Sequence, residues 1–322
     1  MAADTRTQKL SDAEIDRMLR TFLSKKNTFH VLGTSFFVLS KISFGIIILL
    51  AIIYFLTPNV DQFISTAFTF AFVSGISFGG SFFIGIGFFL VMSMYGKKAD
   101  AFVSRHVVRS MLERNFDLNS YNPDRSIAGD RLRKSQIESW DKSRGSCLFQ
   151  AKYKGVSFMF SNVCLIHISK EILDSDHTIF EGPWLIIDLD RTIDSPIIFC
   201  ELNYKKFLTP IIIKAMKDKS KFDNRFTIVR HGKHDPSVVL TPRLKELIVP
   251  STIITSYKSY LSFTENSAHI AISTLSTFFS PVSKDVAEVR KGIQVELDLI
   301  KSIIDELLQN KCFFNPEQAQ DV

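Results

Sequence analysis

Gln62 to Gly96, QFISTAFTFAFVSGISFGGSFFIGIGFFLVMSMYG, runs for 35 residues without a charged side chain. A second apolar stretch, Thr34 to Leu56, precedes it and holds one charge, Lys41. A bilayer is crossed by about 20 apolar residues at 1.5 Å each, and a run this long has no inexpensive place in a soluble core. The pair reads as a two-span transmembrane hairpin. Ile42 to Leu56 alone is too short to cross, so the first span starts near Gly33 to Phe36 and Lys41 snorkels toward the headgroups. The second span, about Ala67 to Met94, is longer than the bilayer requires, and tilt absorbs the excess.

Charge sets the expected orientation. Arg6, Lys9, Arg17, Arg20, Lys25 and Lys26 precede the hairpin, and Lys97, Lys98, Arg105, Arg109 and Arg114 follow it. The expected connecting loop, Thr57 to Ser65, carries only Asp61. By the positive-inside rule both termini are cytoplasmic, and the first span is an uncleaved anchor rather than a signal peptide. Small residues recur along the second span in two rows, Ala71, Gly75 and Gly79, and Ser77, Ser81 and Gly85. Rows of this kind let helices approach closely in lipid, and Gly75, Gly79, Ser81 and Gly85 are candidate helix-packing residues. They are expected to pack on the first span, with a homo-oligomer as the alternative use.

Composition agrees with a membrane protein that carries a large polar part. Of 30 Phe residues, 13 fall between Gly33 and Tyr95. The net charge of +6 gathers beside the hairpin, without the basic stripe or recognition motif of a nucleic-acid binder. Cys147, Cys164, Cys200 and Cys312 show no CxxC or paired spacing and are expected to be reduced.

The remainder reads as α+β. Residues 1–30 hold an amphipathic helix opened by the capping box Ser11-Asp12-Ala13-Glu14. Residues 31–96 are the hairpin, 97–146 a membrane-proximal helix and polar linker, 147–312 a cytoplasmic domain, and 313–322 a tail. Asn115 to Gly145 reads as loop. Strands are expected at Cys147–Tyr153, Val156–Phe160, Val163–Ile168, Trp184–Leu189, Ile197–Leu202 and Phe226–Arg230, and a hairpin at Tyr260–Phe263 and Ala268–Ser273. A helix is expected over Leu240 to Val249, opened by Thr241-Pro242. Strands so closely spaced make a mainly antiparallel sheet. Val286, Val289, Ile293, Leu297, Ile300, Ile304 and Leu307 step by three or four and predict a long C-terminal helix packed on that sheet, with a coiled coil as the alternative.

Two constellations are candidates for chemistry. Asp188 and Asp190, two apart on a strand, project from one face and are the candidate catalytic carboxylates, though a strand end emerging into solvent accounts for the same pair. His231 and His234, with Asp235, have a spacing that metal sites use, but Gly232 and Pro236 mark a turn where histidines are ordinarily exposed. No cofactor motif is present: P-loops, dinucleotide fingerprints, nucleophile elbows and HExxH are all missing from the sequence.

The order of elements resembles a bacterial membrane family known only as domain of unknown function thirty-one thirty-seven. The likeness is carried by the amphipathic start, the hairpin, Phe180-Glu181-Gly182-Pro183-Trp184-Leu185-Ile186-Ile187-Asp188, Phe226-Thr227-Ile228-Val229 with Val239-Leu240-Thr241-Pro242, Ser262-Phe263 with His269-Ile270-Ala271-Ile272, and the closing helix. These motifs are structural. At His231-Gly232-Lys233-His234 this chain departs from the family's pattern, where an acidic residue is usual. The resemblance implies a bacterial cytoplasmic membrane location and a membrane partner of the LemA type, and it implies no activity. The expected function is therefore an integral membrane protein presenting a cytoplasmic binding or scaffolding domain to a protein partner, with a membrane-tethered enzyme using the Asp188/Asp190 strand as the alternative.

Overall fold

The computed structural model describes residues 10–56, 61–169, 176–201, 222–230, 239–251, 258–274, 277–279, 285–310 and 312–314. Contacts divide the chain into two compact units, Met1–Val103 with Pro281–Val289, and Ser104–Ser280 with Arg290–Val322.

The first unit is built on two antiparallel helices, α1 (Asp12–Leu56) and α2 (Asp61–Phe102). The capping box forms as read: Glu14 accepts from the Ser11 N–H at 2.9 Å and from its hydroxyl at 2.8 Å, while the Glu14 N–H reaches Ser11 Oγ at 3.4 Å. The amphipathic segment and the first apolar span are one unbroken helix, because no proline or glycine pair interrupts residues 12–56. α2 likewise begins at Asp61, inside the stretch expected as loop. Aromatic pairs fix the register of the two helices: Phe22 meets Phe102, Phe29 meets Tyr95, Phe36 meets Phe88 and Phe44 meets Phe78, all with ring centres 5.4–5.6 Å apart. Such pairs add to packing that cannot draw on hydrophobic exclusion if lipid surrounds it.

After α2 the chain continues through a π-helical turn, Val103–Val108, into α3 (Arg109–Asn115). The second unit is then α+β, with a six-stranded antiparallel sheet as expected. Its strands are β1 (Asp117–Asn122), β2 (Lys142–Tyr153), β3 (Val156–His167), β4 (His177–Glu201), β5 (Phe226–Arg230) and β6 (Tyr260–Ala271). Short helices α4 (Gly129–Arg133), α5 (Phe222–Arg225) and α6 (Pro242–Ser251) precede the closing α7 (Val286–Gln309). The order runs β1-β2-β3-β4-β5, and β6 pairs with the other edge of β4.

Several elements differ from the sequence reading. Asn115 to Gly145 is not a loop: it contributes β1 and α4, and it buries Ile127, Leu132 and Trp140 against Trp184, Ile186 and Phe180 on one face of the sheet. These three are enough to hold the segment down, because all of them sit in the core. The two strands expected at Val156–Phe160 and Val163–Ile168 are one, β3. Ser161 and Asn162, which break the apolar run, are buried and bonded to main chain: Ser161 Oγ accepts from the Ile127 N–H, and the Asn162 amide takes both the C=O and the N–H of Phe278. β4 likewise merges the strand expected at Trp184–Leu189 with the one expected from Ile197, as far as Glu201, and carries both through a bend; Leu202 lies outside the described residues. There is no hairpin at Glu265-Asn266. β6 passes through as a single strand, and Glu265, with φ 50°, makes the kink that answers the bend in β4.

The opposite face of the sheet carries an aromatic cluster, Phe116, Phe149, Phe158, Phe160 and Phe279, with α7 beside it. Lys301 of α7 stands over the rings of Phe116 and Tyr153, and Asp305 pairs with Lys154 at 3.0 Å. All seven apolar positions read from the sequence are buried, and Ile303 joins them. α7 is thus the sheet-packed helix, with Val295 among the exposed residues of its other side. Cys147, Cys164 and Cys200 are buried, Cys312 is exposed, and all four are free thiols.

Candidate functional site

The bend in β4 brings together what chemistry the described residues offer. Asp188 lies opposite Ser267 of β6, and the next register pair is Ile193 with Glu265, so five residues of β4 advance against two of β6. Asp188 and Asp190 sit at the start of this bulge, both exposed, with buried Leu189 between them. Partial burial raises the Asp188 carboxyl above its ordinary range, and the Arg131 guanidinium of α4 opposes the rise.

Two residues that sequence reading did not single out, Ser267 and His269, stand on the same face of β6 and are both buried. The Trp184 indole N–H points at His269 Nδ1 at 3.4 Å, and Ser267 Oγ lies 3.2 Å from His269 Nε2. An indole N–H is a donor only, so Nδ1 must accept and the imidazole proton must sit on Nε2. His269 then donates to Ser267, and Ser267 donates to the Thr264 carbonyl at 3.1 Å. Burial, helped by Lys134 and Arg131, pushes the His269 pKa down to about 3 and keeps the ring neutral. Every donor in this chain runs from Trp184 toward Thr264. A serine nucleophile needs the reverse, a histidine nitrogen free to take the hydroxyl proton. The chain therefore acts as a strap that holds β6 to β4 beside the bulge. No spacing in the sequence announces it, because its members meet only through strand register.

A half-buried acid lies on α7. Glu296 accepts from the Phe279 N–H at 2.7 Å, next to the Asn162 clamp on Phe278, and Phe279 itself has φ 61°. Burial pushes the Glu296 carboxyl up to about 7, against the lowering effect of that N–H. The folded value exceeds the unfolded one, so the contribution of Glu296 to stability is fully present below about pH 4.5 and is lost as pH rises through about 7. Thermal melts of the full chain in detergent should show stability falling from pH 5 to pH 8 by a part worth on the order of 3 kcal/mol, and Glu296→Gln should remove that part. An unchanged pH slope in the variant would refute the assignment.

The other residues singled out by sequence are placed as follows. Ser81 and Gly85 face α1: the Ser81 hydroxyl is buried on the Ser77 carbonyl at 2.6 Å, Ser77 meets Ser43 at 3.2 Å, and a Cβ on Gly85 would stand 3.2 Å from the Phe37 ring. Gly75 and Gly79 differ, since a Cβ on either would meet nothing within 4 Å. His231, His234 and Asp235 lie outside the described residues. Among the described residues, no three His, Cys, Asp or Glu side chains come together as metal ligands.

Comparison with known families bears on the sheet unit. Residues 178–309 match the model of a family described as a protein of unknown function, DUF3137. This is the family that the sequence resembles, and the match runs from β4 to the end of α7, short of the hairpin and of β1 to β3. No curated protein and no solved structure matches the chain.

Proposed function

We propose that the chain is a two-span integral membrane protein of a bacterial cytoplasmic membrane that holds its α+β unit at the cytoplasmic face as a binding or scaffolding module for a protein partner. The observation that carries this reading is the exposure of the two long helices. In their most apolar 18-residue windows only 17% and 11% of the residues are buried, whereas the core helix of a soluble protein is mostly covered. Val38, Ile42, Ile52, Val73, Ile76, Phe83 and Leu90 all stand out from the helix pair. An apolar surface of that extent requires lipid or protein around it. The LemA-type partner implied by resemblance belongs to this proposal, and its location on the cytoplasmic side follows from the basic residues that flank the hairpin. A catalytic reading of the Asp188/Asp190 strand has less behind it, because Ser267 and His269, the nearest reactive types on β6, are committed to each other.

The test combines extraction with reporters. The full chain should stay in the membrane pellet after alkaline carbonate, and fusions at Gln8 and at Val322 should both report from the cytoplasm. Release by carbonate would sink the integral reading, and a Val322 fusion reporting from outside would move the α+β unit to the other compartment.

A further inference from the structure

Where the early part of α1 meets the last turns of α2, the two helices set two lysines over one ring and two more at the same level. Lys25 Nζ of α1 lies 5.4 Å from the centre of the Tyr95 ring, and Lys98 Nζ of α2 lies 5.5 Å from the same centre. Phe29 stacks on Tyr95 at 5.6 Å with an interplanar angle of 12°, which fixes the ring between the helices. Lys26 and Lys97 are the chain neighbours of this pair, and Lys26 passes alongside Gly96. The register set by Phe22 with Phe102 and Phe29 with Tyr95 puts all four at one level of the hairpin.

Like charges converging on one ring repel, and a tyrosine face offsets only part of that cost. Carboxylates do not make up the difference. Between Ser24 and Ala99 the only acidic residue is Asp61, at the opposite end of α2. Asp100 lends its field to Lys26, and among the described residues Lys25, Lys97 and Lys98 form no ion pair. Apolar exposure begins within a turn or two, at Val31 on α1 and at Met94 and Leu90 on α2. Six residues of helix separate Lys25 from Val31, about 9 Å, and the headgroup layer is about 5–7 Å thick on each side of the hydrocarbon. An ammonium on a four-carbon stem covers the difference.

We infer that Lys25 and Lys98 over Tyr95, with their chain neighbours Lys26 and Lys97 at the same level of the helix pair, form a binding site for the phosphate headgroup of an anionic phospholipid. The inference rests on the membrane reading above. The lipid phosphate supplies the counter-charge, its tails lie along the exposed apolar residues of the hairpin, and the lysines use their aliphatic stems to reach it.

The experiment uses the full chain purified in detergent, with native mass spectrometry reading bound phosphatidylglycerol against phosphatidylcholine. Wild type should retain phosphatidylglycerol selectively and lose it as salt rises. Lys25→Gln with Lys98→Gln should weaken that binding roughly 30-fold, at roughly fivefold per ammonium, while Lys25→Arg with Lys98→Arg should keep it. Equal retention of the two lipids by wild type, or equal phosphatidylglycerol binding by wild type and the Gln pair, would overturn the inference. Water-soluble glycerol phosphate is the competitor. If it displaced the lipid at equal concentration, the site would be one for soluble phosphate and the lipid assignment would fall. Should the Gln pair fail to fold, the salt titration of wild type and the Arg pair still decide, since salt-insensitive binding contradicts a lysine–phosphate contact. Carbonate extraction of the same variants separates the two hypotheses: a chain that stays in the pellet but shows no lipid preference refutes this site alone.

Discussion

Gly182→Ala is expected to destabilise the α+β unit by at least about 3 kcal/mol, which in a unit of this size lowers the melting temperature by roughly 10 °C. Gly182 has φ 153°, a backbone conformation that side-chain-bearing residues rarely adopt. A Cβ there would also stand 2.1 Å from the Ile272 carbonyl oxygen and 3.2 Å from the Thr274 nitrogen. Nothing flexible can move aside, because the obstructing atoms are main chain and are themselves bonded across the same junction: the Ile272 N–H donates to Pro183 O at 3.0 Å, and the Thr274 N–H to Glu181 O at 3.3 Å. The stretch after β6 thus runs directly over Gly182, which explains a glycine inside a 25-residue strand. Melting of the purified chain, followed by the near-ultraviolet signal of its tryptophans, is the measurement. A shift of less than about 3 °C would show that the junction yields.

The second large effect is expected at Glu201 and Arg225, a buried ion pair with each side chain 8% exposed. Glu201 Oε1 takes the Arg225 Nε–H at 3.1 Å and its Nη2–H, while Glu201 Oε2 takes the Ser259 N–H at 3.0 Å. Arg225 also donates to the Val249 carbonyl at 3.3 Å. One pair therefore ties the end of β4, α5, α6 and the approach to β6. Arg225→Met leaves a carboxylate in the interior with part of its hydrogen bonding gone, and Glu201→Met strands a guanidinium. Each single change should cost about 3–5 kcal/mol. The double change removes both charges and should cost markedly less than the sum, a non-additivity that a double-mutant cycle of denaturation midpoints reads directly. Additive single costs would mean that the two groups act separately.

The sequence by itself determined the elements whose signal is local. An uncharged run of 35 residues is apolar whatever surrounds it, so the two long helices could be read from composition. The three-four stepping of Val286 to Leu307 set the buried side of α7, and Ser11 to Glu14 set the cap of α1, because periodicity and capping act within one or two turns. Closely spaced strands gave the antiparallel sheet. Tertiary structure decided whatever depends on two distant segments meeting. Ser161-Asn162 and Glu265-Asn266 look like turns because polar residues interrupt apolar runs. Each instead stays within a strand, the first because its side chains find main-chain partners at Ile127 and Phe278, the second because its kink matches the bend in β4. Asn115 to Gly145 looks like a linker until Trp140 and Leu132 find the sheet face they cover. The same holds for the site. Asp188 and Asp190 were visible as a pair, but the strap of Trp184, His269 and Ser267 joins residues up to 85 positions apart, and only strand register brings them within hydrogen-bond reach. Local free energies fix helices and caps, whereas burial and hydrogen bonding across the chain decide which polar residues end a strand and which hold the core together.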